Sequence, residues 1–144
     1  MIWIKNGWLI DPGRGLEGPG DVILEDGKIA RIIWEGQENG ETLELPENIQ
    51  VIDAAGMTVA PGLADVHVHF RDPGFTYKED IETGAAAAAR GGFTSVVLMA
   101  NTKPLTDNVE TLRYVIEKGE KTGIHVFSCA AVSEGFQGEK LTDM

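Results

Sequence analysis

Leu63-Ala64-Asp65-Val66-His67-Val68-His69-Phe70 alternates polar and apolar side chains, and the stretch from here to Cys129 decides the fold. Period-two alternation over such a length reads as a β-strand. Asp80 to Arg90 comes next, carrying five consecutive alanines (Ala85 to Ala89), the residue with the strongest helix preference. Thr76-Tyr77-Lys78-Glu79 has the T-x-x-E form of a capping box leading into that helix, and Gly91-Gly92 stops it. Phe93 to Met99 is an almost continuous apolar run, of the kind buried on both faces of a parallel sheet. Asp107, with Glu110 three residues on, opens a second helix to about Thr122; Gly123 closes it and Ile124 to Cys129 reads as a third strand. The order βαβαβ, at about 30 residues per unit, predicts three parallel strands with crossover helices.

Upstream of Leu63 the pattern is strand and turn without helix. Ile2-Trp3-Ile4 and Trp8-Leu9-Ile10 are apolar pieces around a turn at Asn6-Gly7, and Asp11-Pro12-Gly13 ends them. Asp21 to Glu25 and Lys28 to Trp34 are joined by Asp26-Gly27, a hairpin signal because a type I′ turn needs positive φ at both central residues. Gln50 to Asp53 turns at Gly56 and continues as Met57 to Ala60, while the acidic stretch Glu35 to Glu47 reads as an exposed loop. The chain is therefore expected to hold a small, β-sandwich-like all-β domain at residues 1–60 and α/β units at 61–144. A (β/α)₈ barrel of the TIM type needs roughly 250 residues and only about 80 follow Leu63, so the sheet is either small and open or the start of an incomplete barrel. Gly138 to Met144 reads as the opening of a further helix with no C-terminal stop, which favours a truncated chain.

Charge and composition exclude several partners. With 12 basic and 23 acidic side chains the net charge is −11, and both regions are acidic, so no basic patch is available for nucleic acid or an anionic membrane surface. The apolar content of 42% is ordinary for a globular protein, and no run approaches the 18 or more apolar residues of a membrane span. Met1 leads at once into a mixed segment with Lys5 and Asn6, unlike a secretory signal. The single cysteine, Cys129, has no partner for an internal disulfide, which fits a cytoplasmic location.

The residues able to carry chemistry gather at predicted strand ends. Alternation puts Asp65, His67 and His69 on one face, and imidazoles at i and i+2 lie roughly 6 to 7 Å apart along the strand, close enough to converge on one metal ion. A bare His-x-His pair also occurs as two hydrogen-bonded histidines on a half-buried strand. Its position before the turn Arg71-Asp72-Pro73-Gly74 places it at the C-terminal rim of a parallel sheet, where α/β active sites are built. Arg71 and Asn101 fall on the same rim. An Arg fork can bind a carboxylate through two hydrogen bonds and an Asn amide can add a donor. The alternatives are an ion pair of Arg71 with Asp72 or Glu79, and an Asx-turn at Asn101 leading into Pro104. Asp65 is placed to orient the His67 imidazole or nearby backbone. His125 and Cys129 share a strand face with Phe127 and read as a packed core histidine and an inert core thiol.

Asp65-Val66-His67-Val68-His69-Phe70-Arg71-Asp72-Pro73-Gly74, followed by Glu79 to Ala87, Gly91-Gly92-Phe93-Thr94 and Asn101-Thr102-Lys103-Pro104, resembles the amino-terminal third of a dihydroorotase. Ala60-Pro61-Gly62-Leu63 is similar to the entry into the first barrel strand across the amidohydrolase superfamily. The resemblance implies a zinc enzyme, with one or two ions, that catalyses the reversible cyclisation of N-carbamoyl-L-aspartate to dihydroorotate in pyrimidine biosynthesis. It implies that His67 and His69 bind zinc, and that His69, Arg71 and Asn101 contact substrate. The remaining ligands and the general acid/base Asp would lie beyond Met144, so a chain of this extent is expected to be inactive alone. It further implies a homo-oligomer, with aspartate transcarbamoylase as a candidate partner. Ala100 departs from the Pro that many members carry before the Asn. The rivals are a dihydropyrimidinase, hydantoinase or allantoinase, which share the His-x-His pair, and a non-catalytic dihydroorotase-like subunit. Arg71 discriminates the first group, because a cationic fork suits a substrate with an extra carboxylate.

Overall fold

Asp26 and Gly27 take φ values of 50° and 73°, the paired left-handed conformation that a two-residue hairpin requires, and they fold the chain back on itself as predicted. A computed structural model describes residues 1–36 and 46–144, so most of the acidic segment Glu35 to Glu47 lies outside the described residues. The chain divides into two compact units, Met1–Pro61 and Gly62–Met144.

The first unit is all β. Strands β1 (Ile2–Asp11), β2 (Leu16–Glu25), β3 (Lys28–Trp34) and β4 (Gln50–Asp53) form a sheet in the order β3-β2-β1-β4, and the short β5 (Thr58–Val59) also pairs with β1. The β1–β2 and β2–β3 pairs are antiparallel, whereas β4 and β5 run parallel to β1. Leu9, Val22, Ile23 and Ala54 are buried in this unit. Asn6-Gly7 is not a turn between two strands but a bulge within one long strand. The carboxylate of Asp21 accepts from the Asn6 backbone N–H at 2.9 Å and that of Asp53 from its side-chain amide at 3.0 Å, so the bulge is held without breaking β1.

The second unit follows the expected βαβαβ order. Strands β6 (Leu63–Val68), β7 (Phe93–Leu98) and β8 (His125–Ser128) form a parallel sheet in that sequence, connected by α1 (Ile81–Arg90) and α2 (Val109–Gly119). Phe70, Ile81, Ala85, Val96, Leu98 and Val115 make one buried cluster, so both helices cover the same face of the sheet. Gly84 allows α1 to approach closely, since a Cβ there would lie 2.5 Å from the Phe70 ring.

Several local expectations are corrected. The box at Thr76 and Glu79 is not used; Asp80 caps α1, its carboxylate accepting from Thr83 N at 2.8 Å, displaced from the T-x-x-E pattern. Asn108, not Asp107, caps α2 by accepting from Thr111 N at 2.9 Å, because Asp107 is engaged by the N–H of Gly135. That helix ends short of Thr122, at Gly119, where a Cβ would press 2.7 Å from Val126. Gly138 to Met144 forms no helix: Leu141 bridges to Ser133, and the Thr142 hydroxyl donates to Ala131 O at 2.7 Å, folding the segment back instead. Among the described residues no helix is long and apolar enough to cross a membrane.

Candidate functional site

Parallel strands bring the C-terminal ends of β6, β7 and β8 to one rim, where His67 at the end of β6 and His69, Asn101 and Cys129 in the segments leaving the three strands lie around a shallow concavity. His67 and His69 lie there with ring centroids 5.1 Å apart and rings inclined at 64°. The pair predicted from the sequence is therefore brought together.

Asp65 does not join them. Its neighbour across the ladder is Val96 while Val68 pairs with Leu98, so β6 contains an extra residue between these points and the alternation breaks. The Asp65 carboxylate instead accepts from the His67 backbone N–H at 3.0 Å, fixing the main chain at the irregularity. Of its two expected roles, the backbone one is observed.

Asn101 lies just past β7, and its Oδ1 is 2.9 Å from His69 Nδ1. An amide oxygen only accepts, so in this contact Nδ1 is the donor and Nε2 is the ring nitrogen turned away from Asn101. The loop behind Asn101 is tied together by its own hydrogen bonds. Buried Thr102 donates to Pro104 O at 2.7 Å and contacts the Thr106 hydroxyl at 3.2 Å, while Thr106 N bonds Ala100 O at 3.1 Å. Neither an Asx-turn nor Pro104 alone shapes this segment.

Arg71 is half-buried with φ 62°, a left-handed backbone that a side-chain-bearing residue adopts only under constraint. Neither carboxylate suggested as its partner binds it. Asp72 is fully buried and is met by Lys118 Nζ at 2.7 Å, the Tyr114 hydroxyl at 2.9 Å and Ile81 N at 3.4 Å, whereas Glu79 contacts the Thr83 hydroxyl. Gly74 seats the turn against the Asn101 loop: its φ is 94°, a Cβ would fall 1.9 Å from Lys103 O, and Pro73 O accepts from Lys103 N at 3.0 Å. Sequence reading misses Tyr114 and Lys118. Their only signal is an i,i+4 spacing on one helix face.

Within these 144 residues His125 and Cys129 are exposed and not packed in a core. They lie with Phe127 on the sheet face opposite the helices, and the His125 ring stacks on Phe127 at 6.3 Å between centroids. The alternation is as expected, but that face is not covered. Among the described residues no three His, Cys, Asp or Glu side chains converge, so the metal-donor set offered here is the imidazole pair.

Residues 56–144 match the model of a family described as Dihydro-orotase-like. Over 144 residues the chain is 53% identical to a dihydroorotase of Clostridioides difficile (strain 630) and 48% identical to one of Clostridium acetobutylicum, covering 32% of each. It thus spans about a third of the length of the curated relatives it matches. Among solved structures it is similar to an L-hydantoinase (dihydropyrimidinase) from Arthrobacter aurescens, with a TM-score of 0.73 and 26% identity over 93% of this chain and 28% of that one. The mixed α/β fold is shared with such hydantoinases, over less than a third of their length.

Proposed function

The chain belongs to the dihydro-orotase-like family, and from that premise we propose that it forms the first part of a zinc-dependent dihydroorotase, interconverting N-carbamoyl-L-aspartate and dihydroorotate. The observation that carries this reading is the rim itself, where the His67–His69 pair at the end of β6 meets Asn101 just past β7, with Arg71 two residues after His69 in the turn beside the residues that line the concavity. In this reading β6, β7 and β8 are the first three strands of a TIM-type (β/α)₈ barrel, preceded by a β-domain over residues 1–60.

The donor set fits zinc. Imidazoles are ordinary zinc ligands, and with Nδ1 of His69 turned to the Asn101 oxygen, Nε2 is the nitrogen that would meet a metal. His67 and His69 would hold the ion together with donors from outside these residues. When bound, zinc supplies Lewis-acid polarisation of an amide carbonyl and acidifies water to a pKa of about 7. The chain's own residues would do the positioning. Arg71 would grip the substrate carboxylate with its planar fork, and Asn101, its oxygen committed to His69, would donate from Nδ2 to the same carboxylate. Both contacts would hold the substrate with its amide toward the histidine pair, orienting the carbonyl for attack by water in ring opening and the two ends of the chain for closure with loss of water.

The rival reading, a hydantoinase or dihydropyrimidinase, is favoured by the structural neighbours; the higher identity to dihydroorotases and the carboxylate-binding chemistry of Arg71 favour ours. Arg71→Ala in the full-length polypeptide decides between them. Losing a charge-assisted contact in a partly buried site should lower kcat/KM for dihydroorotate by about 2 to 4 kcal/mol, roughly 30- to 1,000-fold, with zinc content intact. Dihydrouracil, the same ring without the carboxylate, should be a poor substrate whose rate barely changes. Equal slowing of both rings, or a wild-type preference for dihydrouracil, would favour the dihydropyrimidinase reading.

A further inference from the structure

Asp72 is the most enclosed charged side chain among the described residues, yet it lies directly beside an exposed rim. Its 0% exposure and three donors, Lys118 Nζ at 2.7 Å, Tyr114 Oη at 2.9 Å and Ile81 N at 3.4 Å, tie one loop residue to both helices. A buried ion pair of this kind is a weak source of stability, because apolar side chains of the same volume often serve as well. Its effect on the neighbouring residue is more specific. With Asp72 drawn inward, Arg71 is left with a φ of 62°, and strain of this kind in a residue other than glycine points to a function. The turn that carries both residues is closed by Phe75 N to Arg71 O at 2.8 Å and clamped to the Asn101 loop by Lys103 N to Pro73 O at 3.0 Å.

We propose that the Asp72–Tyr114–Lys118 cluster is a positioning device for Arg71, setting the enzyme's preference for ring substrates that bear a carboxylate. The inference rests on the function proposed above. The cluster touches no substrate; it anchors the residue after Arg71 in the interior and so fixes where the guanidinium starts. Lys118, with its side chain 26% exposed, and Tyr114 reach Asp72 from consecutive turns of α2, so a helix 42 to 46 positions further along the chain sets the placement of a site residue.

The test is a double-mutant cycle in the full-length zinc-loaded protein, with dihydroorotate and dihydrouracil as the two substrates. Asp72→Asn should raise KM for dihydroorotate far more than it lowers kcat, reducing kcat/KM by about 10- to 100-fold through misplacement of the fork. Zinc content and the dihydrouracil rate should be unchanged. In an Arg71→Ala background the same Asp72→Asn change should cost less than about twofold, because the group through which it acts is gone. Equal losses in the two backgrounds, or equal losses on the two substrates, would reduce the cluster to fold maintenance and overturn the inference. If Asp72→Asn does not fold, Lys118→Met carries the same cycle, supporting or overturning the inference on the same two comparisons, and Tyr114→Phe should show a smaller loss in the same direction. A wild-type protein that turns over neither ring would overturn the proposed function itself, a result distinct from additivity in the cycle.

Discussion

Because an amide oxygen accepts and never donates, the 2.9 Å contact between Asn101 and His69 would, in the proposed function, couple a metal ligand to a substrate-binding side chain. His67→Ala and His69→Ala in the full-length protein should each lower bound zinc and reduce activity by orders of magnitude, whereas Asn101→Ala, which removes an orienting partner but no ligand, should weaken zinc affinity by about 10- to 100-fold. Metal analysis after dialysis checks this ranking, and unchanged zinc in both His variants would refute ligation by the pair. A second residue-scale prediction concerns alkali. The Lys118 ammonium is held above its ordinary value of 10.5, first by its hydrogen bond to Asp72, and the Tyr114 hydroxyl is raised from 10.0, first by burial and then by the same carboxylate. A raised pKa in the folded state contributes stability that is complete below the unfolded value and is lost as pH climbs through the folded one. Urea unfolding should therefore give a stability that falls as pH rises beyond 10.0 to 10.5, with a shallower fall in Lys118→Met. A variant as steep as wild type would show that the Lys118 contact does not contribute.

Helix α1 shows how element-scale packing can oppose local propensity. Alanine is favoured over glycine by about 1 kcal/mol inside a helix, which argues for Gly84→Ala on propensity alone. The added Cβ, however, would stand 2.5 Å from the Phe70 ring, and Phe70 is wedged in the buried cluster with Ile81 and Val96. Overpacking of that kind should dominate, so Gly84→Ala is expected to destabilise by about 1 to 3 kcal/mol in chemical denaturation. A stabilised variant would mean that Phe70 yields freely. The same distinction explains which features are legible in the sequence. The Asp26-Gly27 hairpin and the βαβαβ order are legible, since backbone sterics and hydrophobic period are local properties. The cap of α1 is local but differs from the predicted one, since Asp80 and Thr83 form the capping box in place of Thr76 and Glu79, whereas the cap of α2 is displaced to Asn108 where Asp107 has a partner, Gly135, 28 residues away. The β6 bulge that removes Asp65 from the histidine face is likewise set by the neighbouring strand, and Asp72's side-chain partners lie 42 and 46 residues away.

At the scale of the whole molecule, the exposure of His125 and Cys129 has the same origin as the final prediction. A parallel sheet is normally covered on both faces, and a strand read from its own residues is assumed to be so covered. Here the helices cover one face, and on β6, β8 and the rim the chain leaves Val66 at 73%, Phe127 at 55% and Val132 at 77% exposure. The outer edges of β6 and β8 also present backbone donors and acceptors without ladder partners in this sheet. Apolar surface and open strand edges together favour association of one copy with another. The 144-residue chain, purified by itself, should therefore self-associate at micromolar concentration and bind a hydrophobic dye. It should also lack dihydroorotase activity, because its donor set among the described residues is the single imidazole pair. Sedimentation velocity and a coupled activity assay on the same sample check both parts. A stable monomer that turned over dihydroorotate, with contaminating enzyme excluded, would show that residues 1–144 complete the site, and the barrel proposal would fall with it.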